Sequence, residues 1–169
     1  PAGAPQVIST TVLHDYTTTT TKSVTDAVAD AIAKGETLVA GVVGAAGPRT
    51  WENTLAPLDR LGAVMVRAYG VGPFMGRAHP DRTVREAAQA GEETLSKWQS
   101  DLVFRRDLNE AIEAYAATPE AAKLEGESRR LLEFTRRDFR RAGHALSDEE
   151  RAEVQRHRTR LVELEVAFN

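Results

Sequence analysis

The sequence predicts an all-α protein, a multi-helix bundle of about six helices with antiparallel helical hairpins and an extended N-terminal arm. Apolar residues recur at intervals of three and four from residue 22 to the end of the chain, which is the period of a helix. Segments rich in Gly or Pro interrupt that pattern where helices should end. No segment alternates apolar and polar residues as a half-buried strand would.

Composition restricts the classes of function. The net charge of −3 gives no overall attraction to nucleic acid or to an anionic membrane. The absence of cysteine excludes a disulfide framework and thiolate chemistry. The sequence contains neither a long apolar run nor a secretory leader, so we predict a cytoplasmic protein with no membrane partner.

The predicted arm covers residues 1–21, and the helical domain covers residues 22–169. Two prolines and the threonine run Thr17–Thr21 disfavour a helix in the arm. Apolar side chains of the arm are expected to anchor it against the body: Val7, Ile8, Val12 and Leu13.

The first helix is predicted from Lys22, and the glycine-rich segment Gly41–Pro48 should end it. Thr50 is the predicted N-cap of the second helix, in which Pro57 should produce a kink or mark a late start. Gly62 lies in the apolar seam of that helix and is expected to let a neighbouring backbone approach closely. The first helix should bury Val24, Val28, Ala31, Gly35, Leu38 and Val42. The second should bury Trp51, Leu55, Leu58, Gly62, Met65 and Tyr69.

A second glycine-rich break, Gly70–Gly76, separates these helices from the rest of the bundle. A short fourth helix is predicted over residues 107–117, and Pro119 should open the fifth at its first position. Gly143 is the expected residue just beyond the end of the fifth helix. The third helix should bury Val84, Ala88, Gly91, Leu95, Trp98 and Leu102, and the fourth Leu108, Ile112 and Tyr115.

The sixth helix should open on the capping box Ser147–Glu150. The sequence ends on an apolar helical face, at Val166 and Phe168, without a residue that terminates helices. We therefore interpret the chain as part of a longer protein.

The fifth helix carries an arginine face. Six arginines occupy one arc of its helical projection, opposite a set of apolar residues. A guanidinium suits carboxylate and phosphate alike, so this face is a candidate interdomain or partner-binding surface. Its members are Arg129, Arg130, Arg136, Arg137, Arg140 and Arg141.

Two interpretations of the arginine face remain open. It can be a solvated or interdomain face held in ion pairs, since Glu133 lies four residues from both Arg129 and Arg137. Alternatively, a free-standing helical module can use it to bind an acidic partner. Residues 119–169 contain eleven basic and eleven acidic residues, so we predict no nucleic-acid partner. Phe134 and Phe139 are expected to lie off the basic arc and offer no stacking platform.

Catalytic patterns are missing from the sequence. His14, His79, His144 and His157 are too far apart to form a paired metal site, so we predict no catalytic residue and no cofactor in this segment. His144 should contact the preceding helix end, and His157 should be packed on the apolar face of the last helix. The glycine-rich segments lack the Lys-Ser/Thr of a phosphate-binding loop, and no Gly-x-Ser-x-Gly surrounds a serine.

The sequence over roughly residues 24–169 resembles the N-terminal region of the thimet oligopeptidase, neurolysin and oligopeptidase A family of zinc metallopeptidases. Several framework motifs carry the resemblance, the strongest being Arg130–Leu132 together with Arg137–Gly143. The others are Thr50–Leu58, Val84–Ala88, Arg105–Leu108 and Leu161–Asn169.

The resemblance implies a helical, two-lobed cytosolic enzyme that cleaves short peptides in a deep channel. Its zinc would be held by a His-Glu-x-x-His helix and a further glutamate, and would polarise the scissile carbonyl. This chain lacks His-Glu-x-x-His. The resemblance therefore implies a non-catalytic N-terminal part that walls the substrate channel, is inactive alone, and has the missing C-terminal catalytic part as its partner.

Overall fold

The computed structural model describes residues 14–144 and 146–168, and every regular element in those ranges is helical, as predicted. A single 3₁₀ turn, Tyr16–Thr18, precedes the first helix, and a π-helical turn, Trp51–Leu55, precedes the second. The helices are α1 (Thr21–Val43), α2 (Ala56–Val71), α3 (Met75–Ala78), α4 (Arg82–Leu102), α5 (Arg106–Ala116), α6 (Pro119–Ala122), α7 (Gly126–Arg141) and α8 (Asp148–Phe168).

Helix α1 is the central element and packs against α2, α4 and α5. The threonine run supplies its start, since the Thr20 hydroxyl accepts from the Ser23 N–H at 3.1 Å and the Ser23 hydroxyl accepts from the Thr20 N–H at 2.9 Å. Val39 is buried where the sequence predicted Leu38, which is only half-buried. The predicted anchors of the arm lie outside the described residues.

The second helix starts late, which is one of the two outcomes that the position of Pro57 predicted. Thr50 caps the π-helical turn, and α2 begins only at Ala56, with Pro57 in its first turn. Proline cannot donate to the carbonyl four residues earlier and its ring clashes with it. A wider turn avoids both problems, and the Ala56 N–H bonds instead to the carbonyl of Trp51, five residues back.

Two glycines allow helices to approach closely, but they are not the one predicted. Gly62 is exposed, and a Cβ there would meet nothing within 4 Å. A Cβ on Gly35 of α1 would overlap the Trp98 ring of α4, and one on Gly91 of α4 would lie 3.0 Å from a Val28 methyl. The expectation for Gly62 is therefore wrong, because its side of α2 faces solvent and the close contact lies between α1 and α4.

The predicted fifth helix is broken in two. Helix α6 opens at Pro119 as expected, but it ends at Ala122, and α7 begins at Gly126. Gly126 has a φ of +54°, the left-handed conformation that glycine adopts readily. The left-handed conformation at Gly126 lets α7 pack on α5, where Leu132 and Phe139 join the main core with Ile112.

Helix α8 is preceded by the predicted turn and capping box. Gly143 has a φ of +91° just beyond the end of α7. The Ser147 N–H donates to the Glu150 carboxylate at 3.0 Å, and the Glu150 N–H donates to the Ser147 hydroxyl at 3.3 Å. The helix then runs for 21 residues against α4.

Within the described part of the chain, no helix combines the length and apolar character needed to cross a bilayer.

Candidate partner-binding face of helix α7

The apolar residues of α7 fix the direction of its arginines. Leu132 and Phe139 are buried against the bundle, so the opposite side of the helix faces outward. Arg136 and Arg137 are half-buried at the margins of the face. The other four arginines of the predicted set are exposed: Arg129, Arg130, Arg140 and Arg141.

Arg136 leaves the exposed face and joins two helices. Its Nε donates to Oε1 of Glu113 on α5 at 2.8 Å, and its Nη2 donates to Oε2 at 2.6 Å. Hydrogen bonding to Arg136 lowers the pKa of the Glu113 carboxyl, although partial burial opposes the shift. The same hydrogen bonds raise the pKa of Arg136. Arg136 therefore contributes to docking of α7 on α5.

Two further arginines are paired within α7. Arg129 donates to Glu133 at 3.0 Å, which is one of the two pairings that the sequence suggested. Arg137 turns away from Glu133 and donates to Asp138, also at 3.0 Å. Among the described residues, Arg130, Arg140 and Arg141 form no ion pair within 4.0 Å, so the arginine face is only partly neutralised.

The Phe134 ring contacts two arginines of the face, although the prediction placed it off the basic arc. The ζ carbon of Arg137 lies 4.4 Å from the centroid of its ring, and the ζ carbon of Arg130 lies 5.0 Å from it. The ring remains 41% exposed. The helical projection misses this arrangement because it places Cα atoms, whereas arginine side chains reach across to residues three or four positions away. The spacing of Arg130, Phe134 and Arg137 along the helix is the sequence pattern that indicates this contact. The prediction holds for Phe139, which is buried against the His144 ring.

An open cleft of about 360 Å³ adjoins this stack. Trp51, at the start of the π-helical turn, forms part of this cleft. Its main-chain N–H donates to the Glu120 carboxylate at 3.0 Å. Sequence patterns did not connect Trp51 with α7, because the two are far apart along the chain. The cleft is lined by Trp51, Asp59, Glu127, Ser128, Arg130, Leu131 and Phe134.

The histidines occupy separate structural positions. His144 follows α7 and contacts the Phe139 ring of that helix, as predicted, but its Nε2 lies 2.7 Å from the carbonyl oxygen of Val103 at the end of α4. His79 accepts from the Asp81 N–H at 3.1 Å, within a turn. The prediction for His157 is wrong, since its side chain is 80% exposed. Helix α8 directs Val162 toward α4 and leaves the His157 side in solvent. In residues 14–144 and 146–168, no three His, Asp or Glu side chains are grouped as a metal ion would require.

Two of the motifs that carry the family resemblance, Thr50–Leu58 and Arg105–Leu108, lie at helix caps and junctions, and the others lie mostly within α4, α7 and α8. Asn53 completes the cap at Thr50 and donates to the Pro48 carbonyl at 2.9 Å. Arg105 donates to Asp107 at 2.6 Å and lies 3.7 Å from Glu36 of α1, whose carboxylate also accepts from the Trp98 indole. No protein-family model matches the chain.

Proposed function

We propose that this chain is the non-catalytic helical N-terminal part of a cytosolic zinc metallo-oligopeptidase, where it walls the channel that admits short peptides. The proposal starts from the sequence resemblance. It is supported by the positions of two of the resembling motifs, which cap a helical turn at Thr50 and pair Arg105 with α1, as suits a supporting wall.

Helix α8 is the observation that carries this proposal furthest. None of its described side chains is buried, although the helix has 21 residues. Leu161, Leu164 and Phe168 are 55%, 50% and 93% exposed and follow the i, i+3, i+7 spacing of one helical face. We call these three residues the α8 stripe. A helix of this kind gains stability by packing its apolar stripe against another element.

The occupant proposed for the α8 stripe is the catalytic part of the same polypeptide. Zinc would be bound there by His-Glu-x-x-His, and this chain would supply no ligand. Its role is to hold its helices against the catalytic lobe so that folded proteins cannot reach the metal. The peptides admitted would be short and extended, because a narrow channel excludes folded chains.

Two measurements test the proposal. The reading frame beyond the codon for Asn169 should continue and encode His-Glu-x-x-His, whereas a stop codon there, with no companion subunit, would contradict it. Purified alone, the chain should hold far less than one zinc per molecule after dialysis and should not hydrolyse an internally quenched peptide. Zinc-dependent cleavage by the isolated chain, lost with a chelator, would overturn the non-catalytic assignment.

A further inference from the structure

We propose that Arg130, Phe134 and Arg137 form a docking site for an extended acidic peptide whose carboxylates lie on alternate residues. The inference is independent of the proposed peptidase role, since it depends only on the geometry of α7 and the adjoining cleft. The peptide can belong to a separate protein, because the site faces solvent.

The first argument is the spacing of the two guanidinium groups. The ζ carbons of Arg130 and Arg137 lie 5.0 Å and 4.4 Å from the centroid of the same ring. The two ζ carbons are therefore at most about 9.4 Å apart. Carboxylates on alternate residues of an extended peptide point to the same side and are separated by about 7 Å. Two such carboxylates can therefore reach both arginines together.

The second argument is the state of the donors. A guanidinium has five N–H donors, so contact with the face of one aromatic ring leaves donors available for a carboxylate. Among the described residues, the ion pairs of the α7 arginines involve Arg129, Arg136 and Arg137 but not Arg130. Arg137 directs Nε and Nη2 to a single Asp138 oxygen at 3.0 Å, which leaves Nη1. Holding both groups on Phe134 also reduces the entropy lost on binding.

The third argument concerns the class of partner. Asp59 and Glu127 line the cleft beside Arg130 and would repel the continuous charge of a nucleic-acid backbone. Trp51 and Leu131 provide an apolar wall in the same cleft. A peptide can place two carboxylates on the arginines and an apolar side chain against this wall, which matches the mixed surface better than a polyphosphate does.

The experiment measures binding of a fluorescein-labelled peptide with two glutamates on alternate residues and a leucine beyond them by fluorescence anisotropy, at low and at physiological salt. The matched control peptide has glutamine in place of glutamate. Protein variants are Arg130→Gln, Arg137→Gln and Phe134→Leu, each checked for folding by circular dichroism. Arg158→Gln, an exposed arginine on α8, is the charge-matched control.

We expect Arg130→Gln and Arg137→Gln each to weaken binding by about fivefold or more, because each removes a charge-assisted pair. Phe134→Leu should weaken it about threefold without changing the charge. Arg158→Gln should retain the affinity of the original protein. Arg137→Lys, which keeps the charge but loses the planar fork, should also bind more weakly.

Three results would overturn the proposal. Equal loss of affinity in Arg158→Gln and Arg130→Gln would indicate general charge attraction. Unchanged affinity in Phe134→Leu would show that the aromatic ring is not part of the site. Tighter binding of a labelled single-stranded oligonucleotide than of the glutamate peptide would assign the face to nucleic acid.

Discussion

Arg136 and Glu113 join α7 to α5 through two parallel hydrogen bonds, at 2.8 and 2.6 Å, in the fork geometry that suits a guanidinium and a carboxylate. Both side chains keep more than a third of their surface exposed, at 38% and 43%. Solvent screening therefore limits what this pair contributes to stability.

A double-mutant cycle over Arg136→Gln and Glu113→Gln should give a coupling energy of about 0.5–1 kcal/mol in urea denaturation. The same cycle over Arg129 and Glu133, a more exposed pair on α7, should give about 0.3 kcal/mol. A coupling for Arg136 and Glu113 no larger than that of the control pair would show that it does not hold the two helices together.

The pH dependence of this pair has a definite sign. The folded-state pKa of Glu113 is lowered from an ordinary value of 4.5, so its contribution to stability is complete above that value. The contribution should be lost as the pH falls below 4.5 and through the lowered pKa. Urea denaturation between pH 3 and pH 7 should therefore show a shallower loss of stability in Glu113→Gln than in the original protein. Parallel curves would contradict the prediction.

Gly35→Ala should destabilise the protein by about 1–3 kcal/mol, because the new methyl group would overlap the Trp98 ring. Gly62→Ala is the matched control in the interior of a helix. It adds a methyl group in open space and should stabilise by about 0.5–1 kcal/mol. Thermal unfolding followed by circular dichroism measures both, and a stabilising Gly35→Ala would show that α1 and α4 can separate at little cost.

Gly143→Ala should destabilise the protein by about 1 kcal/mol, because alanine is strained at a φ of +91°. Gly143→Asn should cost less, since asparagine tolerates this conformation better than alanine does. Chemical denaturation of the two variants shows which of them is the more stable. If alanine were tolerated as well as asparagine, the turn into α8 would have to change conformation.

Replacing Leu161 and Leu164 together by serine should leave the free energy of unfolding nearly unchanged, because both side chains are half exposed. The same change should reduce the fluorescence of a hydrophobic dye and any self-association seen by sedimentation, since it removes most of the α8 stripe. Val162→Ser, on the side of α8 toward α4, is the control and should lower stability instead. Equal destabilisation by both changes would show that the stripe is packed in solution.

The helical class and most helix ends could be predicted from local patterns. Spacing identified the buried face of α4 at Val84, Ala88 and Leu95, and side-chain chemistry identified the caps at Thr50 and Ser147. These features depend on neighbours within one turn, which the sequence displays directly. The break between α6 and α7 was missed, because it depends on where α7 packs.

For the arginine face, too, the sequence predicts what depends on neighbouring residues and does not predict what depends on how helices pack. Its six members and the Arg129–Glu133 pair follow from helical spacing. The pairing of Arg136 with Glu113 depends on how α5 and α7 pack, which the sequence does not state. His157 was misplaced for a related reason, since apolar periodicity reveals a face but not whether another element covers it.

The wide turn at Trp51–Leu55 has a consequence for the cleft beside Phe134. Its extra residue is explained by Pro57, which prevents ordinary α-helical pitch at this point. Trp51 is the first residue of this turn, so the path of the main chain there places Trp51 at the edge of the cleft. A proline near a helix start can thus affect a surface depression through the local path of the main chain.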